Sequence, residues 1–202
     1  MPAALKKTMK KNISLLTDRL KIKLLQVNDI TPSYVDGLND PEVNKFLVNV
    51  RLQKQTKKSV ADYILFNLQS RTDLLLGIFL KNEGDLIGTI RVSDISNFHY
   101  LCTIGICLFH KKYWGNGYAL EALNKVSEFV FDRLGIHYIE AGVYADNISS
   151  INLFNRAGFS VKCVNRDKFR LDNTFAEVIT FGKINSKFDH SLLAIKRSDG
   201  KA

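Results

Sequence analysis

Residues 101–119, with the sequence LCTIGICLFHKKYWGNGYA, contain the strand, loop and helix start on which the fold prediction for this chain rests. The first nine of them, residues 101–109, are rich in β-branched and aromatic side chains, which is typical of a strand. Residues 118–132 place apolar side chains on one helical face, as an amphipathic helix does. The predicted strand and helix are joined by a loop that contains Gly115 and Gly117.

The two glycines of this loop favour an anion-binding turn. Glycine lets a backbone turn tightly without side chains, so that successive N–H groups can face one anion. The helix that follows adds its own unpaired N–H groups and the positive end of its dipole. A pyrophosphate fits such a loop, and a plain strand-to-helix turn that only needs glycine fits the pattern equally well. Leu120 excludes a Rossmann motif, and no Gly-Lys-Ser/Thr follows that would make a Walker motif.

The segments around this loop predict an α+β fold. Residues 20–24 alternate apolar and charged side chains, as a strand with one buried face does. Asp40 and Pro41 predict a helix start, because aspartate is a favoured N-cap and proline a favoured first helical residue. Helices precede a meander of three strands, and strands then alternate with helices, which favours one mostly antiparallel sheet with a local parallel βαβ pair. The predicted strands cover residues 20–24, 74–80, 86–95, 101–109, 136–144, 160–164 and 176–181, and the main predicted helices cover 41–47, 56–68, 118–132 and 149–156.

Composition and charge bound the class of protein. The chain has 202 residues, with 29 Lys and Arg against 20 Asp and Glu, which gives a net charge of +9. Its composition is typical of a globular protein with one large domain or at most two small ones. The positive surplus favours polyanionic partners, whether phosphorylated cofactors, nucleic acid or an acidic surface. The apolar run 74–80 is far shorter than the ~20 residues that span a bilayer, so no membrane span is expected.

The cysteines favour a reducing compartment. Cys102, Cys107 and Cys163 have no CxxC spacing, so neither a disulfide framework nor a zinc site is expected. Free thiols are typical of cytoplasmic proteins, and we expect a cytoplasmic location without a bound metal. Three regions are predicted along the chain: residues 1–16 form a basic flexible lead-in, residues 17–184 form the folded domain, and residues 185–202 form a polar basic tail.

A second motif occupies residues 144–159, with the sequence YADNISSINLFNRAGF. Asp146 and Asn147, followed by two serines, are typical of a helix N-terminus. Gly158 is typical of the position just after a helix C-terminus. Taken alone, this motif is explained by helix capping.

Taken together, the two motifs resemble those of the GNAT superfamily of acetyl-CoA-dependent N-acetyltransferases. In that family a loop of the form Gln/Arg-x-x-Gly-x-Gly/Ala grips the pyrophosphate of the cofactor. Within the family, the chain is most similar to the branch that contains the ribosomal-protein Nα-acetyltransferases. The resemblance covers about residues 17–184, and the matching segments, in order, are 17–22, 40–43, 87–90, 114–122 and 147–159.

The resemblance implies the GNAT fold. This fold has a mixed, mostly antiparallel central sheet of about six or seven strands, flanked by helices, with a V-shaped splay between two parallel strands. The splay is expected between residues 103–109 and 136–144, with pantetheine lying in it like an extra strand. The cofactor-binding residues that the resemblance implies are Cys107, Leu108, Phe109, Lys112, Tyr113, Trp114, Gly115, Asn116, Gly117, Tyr118, Ala119, Asn147 and Ser150.

These residues are expected to bind mainly through the backbone. Asn147 matches a position whose side chain contacts the pantetheine arm, and Ser150 matches the position one turn later. Lys112 stands where the family has Gln or Arg, and its positive charge is expected to preserve binding.

The resemblance also implies direct transfer of the acetyl group to an amine, with the developing oxyanion stabilised by a backbone N–H near Cys107 or Leu108. Many relatives place a tyrosine, the acid on the thiol side, at the position of Phe154, which has no proton to give. The ribosomal-protein branch points instead to Ser150, which fits equally well as an ordinary residue of a helix N-terminus.

Glu140 is the predicted base, although pairing with a nearby Lys or Arg is the simpler interpretation. His99 and His110 are weaker candidates.

The sequence therefore predicts an acetyl-CoA-dependent N-acetyltransferase that acts on a primary amine. The acceptor is a protein N-terminal α-amine or an amino sugar, including a nucleotide-linked one. Two alternatives remain open: an RNA- or ribosome-binding protein built on a GNAT scaffold, and a cofactor-binding domain without turnover. Nucleic acid is not the expected partner, because no RNP, KH or helix-turn-helix pattern is present.

Overall fold

A single eight-stranded sheet, with the strand order β1-β2-β3-β4-β5-β6-β8-β7, organises the chain. The computed structural model describes residues 13–193. Within that range, all neighbouring strands are antiparallel except β5 and β6, which are parallel. The strands are β1 (Ser14–Leu16), β2 (Leu20–Leu24), β3 (Leu74–Leu80), β4 (Leu86–Ser96), β5 (Leu101–Leu108), β6 (Tyr138–Tyr144), β7 (Ser160–Leu171) and β8 (Thr174–Ile184).

Several helices begin at residues whose side chains cap them. The Asp40 side chain accepts a hydrogen bond from the Glu42 N–H, which confirms the predicted N-cap. Thr56 accepts from the Ser59 N–H in the same way. No helix of residues 13–193 is long and apolar enough to cross a membrane. The helices are α1 (Pro32–Asn39), α2 (Pro41–Asn44), α3 (Val48–Arg51), α4 (Lys57–Gln69), α5 (Tyr118–Leu134) and α6 (Ile148–Arg156), with short 3-10 turns at Val27–Asp29, Lys111–Tyr113 and His190–Leu193.

Helices cover the sheet on both faces. On one face, α5 buries the apolar stripe predicted from its sequence, and α6 adds Phe154, whose ring stacks on Phe181 of β8 at 5.8 Å. On the other face, Tyr34 of α1 and Ile64 of α4 pack over β3 and against Phe109. The sheet therefore lies between two apolar layers, and the α+β GNAT-like architecture expected from the sequence is confirmed.

The sheet extends beyond the predicted domain boundaries. Ser14–Leu16, within the predicted lead-in, form β1 and pair with β2, so the sheet has eight strands rather than six or seven. After β8, Asn185 donates its N–H to the His137 carbonyl at 2.8 Å, and Phe188 is buried against the Tyr100 ring. The first part of the predicted tail therefore packs on the domain. Residues 1–12 and 194–202, the rest of the two predicted terminal regions, lie outside the described residues.

Replacing the buried Phe181 tests this packing. We expect Phe181→Ala to lower the free energy of unfolding by about 3–5 kcal/mol, because a fully buried ring is lost and a cavity remains. Phe175→Ala, on the same strand with its ring 63% exposed, serves as the control and should change stability by less than about 0.5 kcal/mol. Urea denaturation followed by circular dichroism measures both, and equal losses would contradict the described core.

Candidate functional site: a cleft where two parallel strands separate

The parallel strands β5 and β6 are paired only at one end. Their register contains three partners: Leu101 with Tyr138, Cys102 with Ile139, and Thr103 with Glu140. Beyond this point β6 continues to pair with β8 as far as Tyr144, while β5 continues to pair with β4 as far as Leu108. The two strands therefore diverge, and the expected V-shaped gap opens between them.

The edge of β5 that faces the gap presents unpaired backbone groups. The Phe109 N–H donates to the Ile87 carbonyl at 3.2 Å, on the β4 side. Because backbone groups alternate in direction along a strand, Ile106 and Leu108 direct theirs into the gap. The Leu108 carbonyl is already bonded to the Trp114 indole Nε1 at 2.8 Å. The N–H of Leu108 and both backbone groups of Ile106 are left for a ligand.

The glycine-containing loop ends at the mouth of this gap. Gly115 and Gly117 have φ values of 74° and 82°, which residues other than glycine rarely adopt. Within residues 13–193, the backbone N–H groups from residue 115 to residue 120 donate no hydrogen bond to another part of the chain. Gly117 is the N-cap of α5, and its lack of a side chain leaves these donors uncovered. They form a cluster of donors that fits an anion.

A set of polar contacts holds this loop to the first strands. Arg19 donates from Nε to Glu121 at 2.7 Å and from Nη1 to the Asn116 carbonyl at 3.0 Å. Thr17 adds a hydroxyl bond to Glu121 at 2.5 Å. Burial acts to raise the pKa of Glu121, but the hydrogen bonds from Thr17 and Arg19 and the Arg19 charge outweigh it, so this pKa lies below its usual value. Glu121 is thus kept ionised, and the loop is oriented by residues 97 or more positions earlier in the chain.

The gap and the loop open into one cleft of about 400 Å³. One end is walled by the start of α5 and by α6, and the other end by α2 and the residues that follow it. Residues Val43, Phe46 and Leu47 form this second wall, opposite Cys107 and Leu108 of β5. Of the predicted cofactor-binding residues, those that line the cleft are Cys107, Leu108, Tyr113, Trp114, Gly115, Gly117, Tyr118, Ala119, Asn147 and Ser150.

Helix α6 brings Asn147 and Ser150 to the cleft. The Asn147 side-chain oxygen accepts a hydrogen bond from the Ser150 N–H at 3.1 Å, so Asn147 caps the helix as its motif predicts. This bond uses the amide oxygen and leaves the amide NH₂ group for another partner. The Ser150 hydroxyl makes no hydrogen bond to another described residue, and it lies on the cleft wall.

Three of the predicted cofactor-binding residues do not line the cleft. Phe109 is buried, its ring stacks on Tyr34 at 4.5 Å, and its backbone N–H is bonded to β4, so neither its ring nor its N–H faces the cleft. Lys112 turns to a neighbouring cavity and lies 4.7 Å from the Tyr113 ring. Asn116 is exposed, and its side chain bonds to the Lys112 and Trp114 carbonyls, which makes it a brace within the loop.

Glu140, the predicted base, also lies outside the cleft lining. It sits on the last parallel pair of β5 and β6, at the closed end of the gap, on the exposed face of β6. Within residues 13–193 it makes no ion pair, so the simpler interpretation as a partner of Lys or Arg is not observed either. Its role as a base stays a prediction.

The cleft is poor in ionisable groups that could accept a proton. Burial raises the pKa of the Cys107 thiol to about 12, so this cysteine is a neutral side chain rather than a nucleophile. Glu42 is the one carboxylate among the described lining residues, and it is paired with Lys111 at 2.8 Å. No histidine is among them. The described lining thus provides hydrogen-bond donors but no unpaired base.

The comparison with protein families identifies this arrangement. The family model described as "Acetyltransferase (GNAT) domain" matches residues 19–160, which include the loop, the gap and α6. The chain belongs to the GNAT family of acetyltransferases. It is therefore an enzyme, an N-acetyltransferase that uses acetyl-CoA, as the sequence predicts.

Similar proteins support this family assignment. An uncharacterized N-acetyltransferase, p20, of Bacillus licheniformis is 26% identical over 180 residues, which cover 87% of this chain and 98% of the relative. The solved ribosomal-protein-S5-alanine acetyltransferase of Vibrio fischeri has a TM-score of 0.72 at 19% identity, over 88% of this chain and 100% of that one. The solved spermidine N-acetyltransferase of Vibrio cholerae, in complex with CoA and spermine, has a TM-score of 0.74 at 16% identity, over 85% and 99%. At these identities the two structures show a shared GNAT fold.

The residues present fit the acetyl-CoA that GNAT enzymes use. A pyrophosphate needs several donors close together, and the unpartnered N–H groups of residues 115–120 provide them. An extended pantetheine arm needs an open strand edge, and Ile106 and Leu108 provide one.

Sequence reasoning missed two parts of this GNAT site. The sequence predicted a helix over residues 41–47, but it did not indicate that Val43, Phe46 and Leu47 form a wall of the cleft. Arg19 and Glu121 both belong to segments that match the family, but they lie 102 positions apart, and no local pattern indicates that they touch.

Adding a methyl group to the loop tests its role. Alanine at position 117 must adopt a φ of 82°, which costs about 1–2 kcal/mol, and its Cβ meets Arg19 Nη2 at 3.4 Å. The loop should relax to a different backbone conformation and turn its N–H groups, so we expect Gly117→Ala to raise the Kd for acetyl-CoA about tenfold in isothermal titration calorimetry.

Gly84→Ala is the matched control for this variant. Gly84 has a φ of 76° in the turn between β3 and β4, with open space around it. It should show a similar loss of stability and an unchanged Kd. Equal affinities of the two variants would contradict the assignment of the loop as the anion site.

Proposed function

We propose that this GNAT enzyme transfers the acetyl group of acetyl-CoA directly to a primary amine of low pKa, and that its acceptor is the N-terminal α-amine of a polypeptide. The observation that carries the proposal is the unpaired edge of β5 next to the loop of unpartnered N–H groups. This arrangement holds an extended anionic thioester at one end of the cleft and leaves the end at α2 for an acceptor.

Binding of acetyl-CoA divides between the loop and the strand edge. The N–H groups of residues 115–120 hold the pyrophosphate, with the α5 dipole adding to their attraction. The backbone groups of Ile106 hold the pantetheine arm. The free amide NH₂ of Asn147 donates to the same arm from the opposite side of the gap.

Two donors of the chain serve the reaction. Bound acetyl-CoA supplies the thioester whose carbonyl carbon the neutral amine attacks. The Leu108 N–H donates to the carbonyl oxygen as negative charge develops on it. The Ser150 hydroxyl donates a hydrogen bond to the sulfur as the C–S bond breaks, in place of the tyrosine that Phe154 cannot supply. The proton that the amine nitrogen loses on forming the amide ends on this sulfur, and CoA leaves as the thiol. Phe154 is 3% exposed and packs against two other rings, so it takes no part.

The shortage of bases in the cleft favours an α-amine over a more basic amine. An α-amine has a pKa of about 7.7–8.0, so roughly a tenth of it is neutral at pH 7 without any base. A lysine-like amine, with a pKa of about 10.4, is neutral in well under about 0.1% of molecules. Glu42, the single carboxylate among the lining residues that the structure describes, is paired with Lys111, which also disfavours a polyamine acceptor.

A nucleotide-linked amino sugar is the second candidate acceptor. It carries phosphates, and the net charge of +9 favours the approach of an anion. The same charge favours the approach of acetyl-CoA, so it is no specific argument for an anionic acceptor. The N-terminal α-amine of a polypeptide is therefore the first candidate acceptor.

An acceptor panel tests the proposed function. Thiol release from acetyl-CoA should be fastest with N-terminal peptides, slower with amino sugars and slowest with spermidine. The kcat/KM for a peptide should rise about tenfold per pH unit below the amine pKa and level off near pH 8, because only the neutral amine attacks. Fastest release with spermidine would contradict the proposal. RNA binding that falls steeply with salt, without thiol release, would favour the nucleic-acid alternative.

Ser150→Ala tests the proposed donor to the sulfur. We expect kcat to fall by about tenfold to a hundredfold while the Kd for acetyl-CoA stays within about twofold, because only the leaving thiolate loses a hydrogen bond. Asn155→Ala, on the exposed side of the same helix, controls for an effect on α6. An unchanged kcat would remove Ser150 from the mechanism.

A further inference from the structure

At the acceptor end of the cleft, an ion pair joins two distant parts of the chain. Arg51, the last residue of α3, pairs through Nη2 with the Asp172 carboxylate, in the turn between β7 and β8. Arg51 also donates from Nη1 to the Lys45 carbonyl at 3.3 Å, which fixes its guanidinium beside the segment that follows α2. The tip of the long β7–β8 hairpin is thus fastened to the wall of the cleft.

A row of aromatic rings connects this ion pair with the cleft. Phe46 lines the cleft, and its ring stacks on Tyr144 at 5.8 Å. The Tyr144 ring in turn lies 6.3 Å from Phe169 of the hairpin. Arg51 itself does not line the cleft, but it is bonded to the carbonyl of Lys45, the residue directly before Phe46. The guanidinium therefore lies just behind this wall of the cleft.

The two partners of the ion pair are unequally covered. The Arg51 side chain is 24% exposed, whereas Asp172 is 69% exposed. Asp172 occupies a positive φ of 55° at the end of the hairpin, and the β7–β8 register is irregular between Asn165 and Phe169. The arginine is thus held by its surroundings, while the aspartate is a surface group on a protruding turn. Because a largely covered guanidinium needs an anionic partner, another anion can take the place of Asp172.

The surroundings of the ring row are basic. Lys45 lies 5.1 Å from the Phe46 ring, and Lys168 lies 5.5 Å from the Phe169 ring. Arg170 donates to the Asp172 carbonyl at 3.1 Å. The β7–β8 hairpin, residues 160–184, has five Lys and Arg against three Asp and Glu, and Arg51 and Lys45 add two more cations beside it. An incoming anion is attracted here, and a polycation is repelled.

We infer that Arg51 binds an anionic group, a carboxylate or phosphate, carried by the acceptor close to its amine, and that Asp172 occupies Arg51 until the acceptor displaces it. The inference rests on the proposed function and narrows its acceptor class. A peptide supplies the anion as an acidic side chain next to its N-terminal residue, and a nucleotide-linked amino sugar supplies it as a diphosphate. The guanidinium suits both, because its planar donors match carboxylate and phosphate oxygens in pairs.

Steady-state kinetics with matched acceptors test this inference. The peptide arm compares two peptides that begin Ala-Glu and Ala-Gln, and the sugar arm compares a uridine diphosphate-linked amino sugar with the same sugar free. In at least one of the two arms, the KM of the charged acceptor should be at least about tenfold lower than the KM of its uncharged match. Arg51→Gln should remove this difference by raising the KM of the charged acceptor, with little change for its uncharged match. Arg166→Gln, which removes an exposed cation of the same hairpin, should preserve the difference.

Asp172→Asn provides a second, opposite test. It removes the internal competitor without touching Arg51, so the KM for the charged acceptor should fall several-fold while that for the uncharged one stays unchanged. Equal KM values within both arms, or equal effects of Arg51→Gln and Arg166→Gln, would overturn the inference and leave the proposed function intact. Absence of thiol release in every arm, with acetyl-CoA binding retained, would overturn both.

Discussion

The whole site depends on the interruption of one parallel ladder. After Thr103 and Glu140, β5 and β6 stop pairing, although each stays bonded to its outer neighbour. This outer pairing lets the strands separate without unravelling, because β4 and β8 satisfy half of their backbone groups. The other half would be costly if buried, and they are tolerated because they face a cleft. Trp114 covers one of them by donating to the Leu108 carbonyl, which also anchors the loop to the end of β5.

The anion-binding loop shows how a local conformation comes to depend on distant residues. Its shape needs glycine at positions 115 and 117, whose positive φ values are set by stereochemistry. Its orientation needs Arg19, which bonds both to the loop and to Glu121 on the first turn of α5. The segment between β1 and β2 is therefore bonded directly to the loop and to α5 at the cofactor end of the cleft.

The two ends of the cleft are built from different chemical groups. The end at the loop is built from backbone groups and matches the GNAT family, so it accounts for the use of acetyl-CoA. The other end is lined by side chains of α2 and of the residues that follow it, with the β7–β8 hairpin packed behind Phe46 through Tyr144. Structures that share the fold at 16–19% identity are named for acceptors as different as a ribosomal protein and spermidine. The reaction thus follows from family membership, whereas the acceptor must be argued from this chain's own charges and rings.

Features that depend only on neighbouring residues follow from the sequence. The strand at Leu74–Leu80, the start of α5 at Tyr118 and the glycine turn before it all follow from periodicity and turn stereochemistry within a few positions. Which side chains meet depends on the tertiary structure. It packs the Phe109 ring on Tyr34, places Lys112 at a neighbouring cavity and Glu140 outside the cleft lining, adds β1 to the sheet, and brings Arg51 to Asp172 across 121 positions. Such contacts depend on the direction in which each strand faces and on how the sheet is packed, and a local pattern contains neither.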